Sequence, residues 1–385
     1  MTILNIKNIL TINELKFLAK KRIPTMFFEY IEAGSWTEDT LYNNRNDFKQ
    51  IKFRQRVVRD ISNRSTKSKL IGNEVSMPLV LAPCGLTGMH YPDGEIHSAV
   101  AAQKFGVPYT LSTMSITSIE DLAENVSNPF WFQLYVMKDH NFSKKLIQRA
   151  KSAECSALVL TVDLQLLGQR HCDIRNGLSS PPKINVKNVV DILFKPSWLL
   201  GMLKTNRRTF GNIIGHVDGV SDTSKLSSWI DEQFDLKLNW DDISRIRDWW
   251  GGKLILKGIL DPEDAILAEK IGTDAIVVSN HGGRQLDETI SSIRALPEII
   301  RALRSDTDVW LDSGIQSGQD ILKSIALGAK GTMIGKTYLY GLAAAGENGV
   351  TKVLEILRKE LDVTMGLCGC KNISEVSKKI IKTIG

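Results

Sequence analysis

The residues of this 385-residue chain that could do chemistry stand at the ends of short apolar segments. Imidazole, guanidinium, ammonium, carboxylate, phenol, amide and hydroxyl groups all occur at these ends. A buried charge is costly unless it is paired or used, so this repeated placement favours a functional site over a merely structural rim. The residues at or just after the segment ends are Cys84, Gly85, Ser112, Gln133, Tyr135, Thr161, Asp163, Arg170, Lys257, Ser279, His281, Arg284, Asp312, Ser313, Gly314, Gly335 and Lys336.

His281 lies between Asn280 and two glycines, and Arg284 follows it three residues later. Imidazole has a pKa of about 6.5 and can therefore accept a proton at neutral pH. A guanidinium beside such a base suits an anionic substrate. Taken singly, this histidine could equally be a turn residue, and a strand-end Lys or Ser could be a satisfied surface group. The shared position of all the segment ends favours a site.

Eight strand-like segments alternate with helical patterns, which predicts βα units and a parallel sheet. Most are near-continuous apolar runs, as expected for strands covered on both faces. Eight units predict an α/β fold of the (β/α)8 TIM-barrel type, in which the C-terminal strand ends face the active site. The candidate strands are Met77–Pro83, Pro108–Ser112, Phe130–Tyr135, Ala157–Asp163, Lys253–Gly258, Ala275–Asn280, Val309–Gly314 and Gly331–Lys336.

Two segments do not fit this repeat. Residues 1–76 are predicted to form short helices packed on the barrel, and residues 164–240 form an insertion after the fourth strand, of a length typical of functional lids or partly disordered connections. No Gly/Ser-rich linker divides the chain, so we expect one domain. The predicted domain spans residues 1–385, and its barrel comprises residues 77–163 and 241–385. The predicted N-terminal helices are Ile12–Lys21, Thr25–Ala33 and Glu38–Phe48.

The composition, with 43% apolar and 24% charged residues, is that of an ordinary globular protein. No run of 18 or more apolar residues occurs and the N-terminal residues lack a signal-peptide pattern, so we expect a protein of the cytoplasmic side. Five cysteines without a C-x-x-C pair predict free thiols rather than disulfides or a zinc site. The net charge of +6 is too small to indicate nucleic-acid binding.

Residues 181–210 within the insertion carry six Lys/Arg and one Asp, interleaved with aromatic and aliphatic residues. Basic residues beside an apolar face suit the surface of an anionic membrane. A solvated lid that packs its apolar residues on the barrel explains the same pattern. Peripheral attachment, for example on the inner membrane of a bacterium, and a lid therefore both stay open.

The run Val278–Asp287 (VSNHGGRQLD) resembles the signature of the FMN-dependent α-hydroxy-acid dehydrogenases and oxidases. The resemblance covers essentially the whole chain, and Ala82–Met89 leans toward the branch of bacterial lactate (quinone-type) and mandelate dehydrogenases. Other matching runs are Phe28–Gly34, Phe132–Val136, Thr161–Asp173, Leu256–Gly258 and Leu311–Gly314.

This resemblance implies FMN as the cofactor and the oxidation of a 2-hydroxy acid, most readily lactate, to the 2-oxo acid. His281 corresponds to the family's base and Asp163 to the carboxylate that orients it. The substrate-binding set implied is Tyr30, Tyr135, Arg170 and Arg284. The flavin-binding set implied is Cys84, Gly85, Ser112, Gln133, Thr161, Lys257, Ser279, Asp312, Ser313, Gly314, Gln316, Gly335 and Lys336. Lys257 would stand beside the flavin edge where negative charge appears on reduction.

The chain departs from the family pattern at two positions that usually carry arginines for the FMN phosphate. Here they are Gln316 and Lys336, which lose the charge and the bidentate fork respectively. We therefore hypothesise a protein that releases FMN more readily than its relatives. Met114 stands where glycolate-type oxidases carry a tryptophan, so the preferred side chain of the acid stays open.

The resemblance also implies a quinone or similar electron acceptor and a homotetramer. Alternatives to the dehydrogenase are an oxidase that uses oxygen, a non-redox FMN barrel enzyme, and a flavin-binding protein without turnover. Neither the acid nor the acceptor is fixed by the residues themselves.

Overall fold

The computed structural model describes residues 6–178, 186–216, 233–305 and 307–383. Short strands and mostly amphipathic helices alternate along these ranges. The strands are β1 (Ile51–Phe53), β2 (Ser68–Leu70), β3 (Asn73–Val75), β4 (Leu79–Leu81), β5 (Thr110–Ser112), β6 (Trp131–Leu134), β7 (Ala157–Thr161), β8 (Lys253–Ile259), β9 (Ala275–Val278), β10 (Asp308–Leu311), β11 (Gly331–Ile334) and β12 (Ile381–Thr383).

Helices precede the barrel, connect its strands and follow it. They are α1 (Ile12–Arg22), α2 (Thr25–Glu32), α3 (Asp39–Gln50), α4 (Thr87–His90), α5 (Gly94–Phe105), α6 (Ile119–Asn125), α7 (His140–Ser152), α8 (His171–Arg175), α9 (Val186–Leu193), α10 (Pro196–Lys204), α11 (Trp240–Trp250), α12 (Pro262–Lys270), α13 (Ser292–Ala302), α14 (Gly318–Ala326) and α15 (Lys336–Leu367). Three short 3-10 helices lie at Ile6–Asn8, Ile373–Glu375 and Lys378–Ile380.

Strands β4 to β11 form one parallel sheet in the order β4-β11-β10-β9-β8-β7-β6-β5. A parallel bridge between Leu81 and Tyr109 joins the two outer strands, so the sheet closes into a barrel. The barrel strands are mostly apolar and have almost no exposed residue, because helices cover the sheet outside and side chains fill it inside. The predicted (β/α)8 barrel is confirmed.

The N-terminal end of the barrel is closed by side chains and by the β2–β3 hairpin. Trp131 and Trp310 stack there with their ring centroids 5.5 Å apart. Leu70 and Ile71 of the hairpin belong to the same buried cluster as both indoles. The cleft of the molecule is therefore at the other end, where the polar residues follow the strands.

Helices α1 to α3 form as predicted, within two residues at each end. The start of α1 is fixed by a capping box, in which the side chain of Thr11 accepts the backbone N–H of Glu14 and the side chain of Glu14 accepts the backbone N–H of Thr11. Helix α3 lies against the barrel rim, where Asn44 and Asn280 exchange two amide hydrogen bonds of 2.8 Å. This contact brings the N-terminal helices to the edge of the cleft.

The insertion is described only in part, because residues 179–185 and 217–232 lie outside the described ranges. Part of the basic 181–210 segment is therefore not placed. Helix α10 is anchored on the barrel through Trp198, whose indole donates to Met89 O at 2.8 Å and packs on Phe27. The chain returns to the barrel at Phe234, which makes a bridge with Met137. No helix among the described residues is both long and apolar enough to span a bilayer.

Candidate active site

A cleft at the C-terminal end of the barrel gathers most of the predicted site residues. It opens between the strand ends, helices α2 and α3, and the returning part of the insertion. The predicted residues that line it are Tyr30, Cys84, Gly85, Tyr135, Arg170, Lys257, His281, Arg284, Asp312, Ser313, Gly314, Gln316, Gly335 and Lys336.

Five predicted residues lie beneath or beside this lining instead. Ser112, Gln133, Thr161 and Ser279 are strand-end residues that are at most 3% exposed. Asp163 stands behind His281. These residues can reach a bound molecule only at the inner end of the cleft or through the residues in front of them.

His281 and Asp163 form a hydrogen-bonded pair, with Nδ1 of the imidazole 2.9 Å from Oδ1 of the carboxylate. The backbone of His281 is in the left-handed region at φ 59°, a conformation uncommon outside glycine that often marks functional sites. Gly258 packs on Asp163 so closely that a Cβ there would lie 2.6 Å from the carboxyl carbon. The carboxylate is therefore held in place from behind.

Burial lowers the pKa of His281 from 6.5; Asp163 opposes this shift, and the cations of Lys257 and Arg170 add to it. The ring is therefore neutral at pH 7. Since Nδ1–H is donated to Asp163, Nε2 is the nitrogen left to accept a proton. This is the state that a general base requires.

Two guanidinium groups of the cleft lie beside the carboxylate of Asp173. Nη2 of Arg284 lies 3.5 Å from Asp173 Oδ2, and Arg170 lies 3.9 Å from the same oxygen. Burial and then the charge of Arg284 lower the pKa of Arg170 to about 10, so the Arg170 guanidinium stays charged at pH 7. Burial raises the pKa of Asp173, although both arginines oppose it. A carboxylate entering the cleft would relieve this excess of positive charge.

The aromatic residues shape the same end of the cleft. The guanidinium of Arg284 lies over the ring of Tyr30, 4.5 Å from its centroid, and donates to Tyr30 O at 2.6 Å. Burial, then the charge of Asp163, raises the pKa of Tyr135, whose phenol is therefore a hydrogen-bond donor at any physiological pH. The edge of the Tyr135 ring meets Phe234.

At the floor of the cleft, Lys257 is 4% exposed and its ammonium lies 2.9 Å from Asp312 Oδ2 and 3.0 Å from Ser279 Oγ. Burial lowers the pKa of Lys257, but the charges of Asp312 and Asp163 together outweigh it and the net pKa is raised. Burial has the opposite effect on Cys84 and raises its pKa to about 11, so its thiol is protonated and unreactive. The floor thus presents a fixed cation rather than a nucleophile.

The inner end of the cleft has the features that FMN requires. Gln133 Nε2 and Thr161 Oγ1 are buried without a hydrogen-bond partner among the described residues, and such groups need one. Lys257 and these groups could meet the polar edge of a flavin. The turn at Ser313 and Gly314, both at positive φ, offers backbone at the end where TIM barrels commonly bind phosphate. The residues present fit the group.

The two positions that depart from the family pattern both line the cleft, where the backbone of Gln316 and the ammonium of Lys336 are engaged. The backbone N–H of Gln316 donates to Asp320 Oδ2 at 3.0 Å. The ammonium of Lys336 donates to Glu32 O at 2.9 Å, and burial, then Arg284, lowers the pKa of this lysine to about 7. Neither group is a free, fully charged cation in this arrangement.

Phe210, Phe234 and Arg45 are among the cleft residues that were not anticipated from the sequence. Phe210 and Phe234 come from the insertion, and Arg45 comes from helix α3. No strand-end rule reaches them, because they are far from the barrel strands along the chain. The length of the insertion was a weak sequence signal that some of its residues, such as these phenylalanines, would reach the cleft. No sequence signal indicated that Arg45 would reach it.

Known proteins resemble this chain over nearly its whole length. The sequence profile of the FMN-dependent dehydrogenases matches residues 19–383. An L-lactate dehydrogenase of Acinetobacter baylyi is 41% identical over 370 residues, which is 96% of each chain. An L-lactate dehydrogenase of Haemophilus influenzae is 43% identical over 364 residues, covering 94% of this chain and 95% of its own.

Solved structures give the same result. The monotopic membrane protein (S)-mandelate dehydrogenase superposes with a TM-score of 0.93 at 35% identity, over 98% of this chain and 100% of that one. A mandelate oxidase superposes with a TM-score of 0.83 at 33% identity, over 98% and 99%. The protein therefore belongs to the family of FMN-dependent dehydrogenases.

Proposed function

We propose that the protein oxidises an L-2-hydroxy acid, with L-lactate the first choice, to the 2-oxo acid. The observation that carries this proposal is the arrangement of a neutral, carboxylate-held imidazole and two guanidiniums around one cleft in a flavin-dependent fold. Relatives named L-lactate dehydrogenase share 41% and 43% of their residues with the chain, which supports lactate.

The substrate carboxylate is bound by Arg170 and Arg284, whose mutual repulsion falls when an anion lies between them. Tyr30, whose hydroxyl lies near Gly85, and the neutral phenol of Tyr135 orient the rest of the acid. Phe210, Phe234 and Met114 surround the substrate side chain and exclude water. Because this wall is apolar, a small aliphatic side chain is accommodated without a polar partner.

When bound, FMN supplies the two-electron acceptor for the oxidation. His281 takes a proton from the substrate at Nε2 and becomes an imidazolium. Asp163, 2.9 Å from Nδ1, stabilises that charge and fixes the ring. General-base help of this kind contributes roughly 10²–10⁴ in rate. Lys257 holds a positive charge at the cleft floor throughout, fixed by Asp312.

For the electron acceptor we propose a quinone or a similar molecule, and oxygen is the alternative. The mandelate dehydrogenase with the same fold is described as a monotopic membrane protein, which favours a membrane acceptor, whereas a mandelate oxidase also shares the fold. Reoxidation of the reduced protein by a soluble quinone and by oxygen, compared under one condition, tests this choice. Faster reoxidation by oxygen would favour the oxidase.

We also propose peripheral attachment to a membrane from the cytoplasmic side. Helices α9 and α10 leave apolar side chains in solvent although Trp198 and Met202 of α10 are buried. The exposed set is Val186, Val189, Val190, Leu193, Phe194, Leu200 and Leu203. The exposed Lys187 and Lys204 on the same segment would meet anionic lipid.

A single domain of residues 1–385 and a homotetramer complete the proposal. The β1–β12 pairing, which joins the N-terminal part to residues near the C-terminus, supports one folding unit. The family resemblance supports the tetramer. Light scattering on the purified protein tests the oligomeric state directly.

The proposed activity is tested by following 2-oxo-acid formation with an artificial electron acceptor. We expect product from L-lactate and little from D-lactate, with a panel of longer and aromatic L-2-hydroxy acids ranking side-chain size. No product from any acid in the panel would reject the proposal.

A further inference from the structure

The FMN phosphate needs positive charge, and the end of the cleft where it should lie has few free cations. A phosphate monoester carries about −1.5 to −2 charge at pH 7. TIM barrels commonly bind phosphate at the loops after the seventh and eighth strands, which are β10 and β11 here. These loops contain Gly314 and Gly335, and both line the cleft. A phosphate-binding role for any residue at these loops rests on FMN being the cofactor of the proposed function.

The groups beside the β10 loop are acidic or already engaged. Gln316 is neutral, and its N–H donates to Asp320. The N–H of Gly318, the first residue of α14, donates to Glu360 Oε2 at 2.8 Å. Two carboxylates therefore occupy the amides at the start of this helix. A dianionic ligand nearby would be repelled unless a cation stood between them.

Across the loop, Lys336 donates to Glu32 O and Ala33 O, the carbonyls at the end of α2. Lys257 is bound to Asp312 at the floor. Lys323 of α14 donates to Phe48 O at 2.8 Å and is 9% exposed. None of these ammonium groups is free to serve a phosphate without giving up its present partner.

Arg45 is differently placed. It lines the same cleft from helix α3, and its Nη1 donates to Gly314 O at 3.0 Å and lies 3.6 Å from Asp320 Oδ2. In the described part of the chain these contacts use Nη1 alone, so Nη2 and Nε keep their donors. The side chain is 37% exposed, which leaves a ligand access to it.

The position of this guanidinium is fixed by backbone contact. Gly314 is so close to α3 that a Cβ there would lie 2.2 Å from Asn44 O, and Asn44 is itself bound to Asn280. Helix α3 is therefore held at the rim by buried hydrogen bonds to Asn280, and the β10 loop packs directly against its backbone. Arg45 is held at the loop rather than carried on a free surface helix.

We propose that Arg45 binds the FMN phosphate through Nη2 and Nε and supplies the charge that Gln316 does not. Its Nη1 meanwhile neutralises Asp320, so the phosphate meets a screened carboxylate. The arginine is delivered by an N-terminal helix rather than by a barrel loop. On this proposal, the loose FMN binding expected from Gln316 and Lys336 does not occur.

The test measures FMN release from the holoenzyme by the recovery of free-flavin fluorescence after dilution. Arg45→Gln should accelerate release or weaken affinity by about 10- to 100-fold, the range for hydrogen bonds to a charged group. The double variant Arg45→Gln with Gln316→Arg should recover most of this loss, because the new guanidinium starts from the same loop. Lys49→Gln, on the same helix but at a lysine whose ammonium donates to nearby Asn46, is the matched control and should release FMN like the wild type.

Riboflavin, which lacks the phosphate, separates a ligand contact from a structural role. Its binding to the flavin-free protein should be equal in the wild type and Arg45→Gln. Equal weakening of riboflavin and FMN, or unchanged FMN release in Arg45→Gln, overturns the role of Arg45 while leaving the FMN assignment intact. Failure of the wild type to bind any FMN would instead overturn the cofactor assignment and this inference with it.

Discussion

His281 shows how a single residue is prepared for proton transfer by its surroundings. Its left-handed backbone comes three residues after the end of β9, and Gly282 and Gly283 continue in positive φ. Asp163 fixes the ring, while burial keeps it neutral. The base is therefore oriented and unprotonated before substrate binds, which lowers the reorganisation needed for the reaction.

Substitution of His281 by Gln should lower kcat by about 10²–10⁴ because the proton acceptor is lost, while the amide keeps a polar group beside Asp163. Steady-state turnover with L-lactate measures the loss, and flavin content measures whether the site is intact. A variant that retains both flavin and wild-type turnover would refute the role of His281 as base.

The pH dependence of kcat/KM follows from the lowered pKa of His281. The neutral ring is the active form, so activity should be level near pH 7 and fall as the pH drops through a pKa below 6.5. A profile whose acid limb lies above pH 6.5 would contradict the shift. The FMN content of the same samples should stay constant over the pH range in which activity falls.

The buried ion pair of Lys257 and Asp312 at the floor of the cleft can be tested by removing its cation. Lys257→Met leaves the Asp312 carboxylate buried without its cation, and removal of one partner of such a pair costs about 3–5 kcal/mol of unfolding free energy. Denaturant unfolding measures the change. Lys253→Met, at an exposed ion pair of the same strand, is the control and should cost about 1 kcal/mol or less.

At the scale of elements, the contact between α3 and the β10 loop positions the cofactor end of the cleft. Sequence reasoning placed α3 and the β10 strand end correctly, because both have strong local patterns. It missed their contact, which depends on Gly314 and Asn44, residues distant along the chain. It also missed β1, β2, β3 and β12, because three-residue strands carry almost no periodicity.

Gly314→Ala should disrupt this contact. The glycine has φ 82° and its added Cβ would lie 2.2 Å from Asn44 O, so α3 must move away. We expect loss of bound FMN and a markedly lower melting temperature. Gly272→Ala has a similar φ of 78° but meets no atom within 4 Å, and it should show only the backbone cost of about 1 kcal/mol. Equal effects of the two variants would contradict the packing argument.

The exposed apolar face of α9 makes a prediction about membranes. The wild type should float with vesicles that contain anionic lipid, and Val190→Glu with Leu193→Glu should abolish this by adding charge to the face. Leu367→Glu, at an equally exposed leucine at the end of α15, should float like the wild type. A wild type that stays in the soluble layer would leave the insertion as a lid over the barrel.

At the scale of the whole molecule, the barrel explains why the site was readable from the sequence. Eight apolar strands point their C-terminal ends to one rim, so residues that are far apart in the chain become neighbours there. Thirteen of the fourteen predicted residues that line the cleft stand at or after these strand ends, and Tyr30 comes from helix α2. The phenylalanines of the insertion and Arg45 were not readable, since they approach the rim from outside the repeat.

The central claim is that the cleft transfers two electrons from an L-2-hydroxy acid to bound flavin. Rapid anaerobic mixing of the purified holoenzyme with L-lactate tests it most directly, with D-lactate and His281→Gln as references. We predict that L-lactate bleaches the visible flavin band within the mixing experiment, while both references leave it oxidised. A flavin band that L-lactate and the other L-2-hydroxy acids leave unchanged would contradict the account.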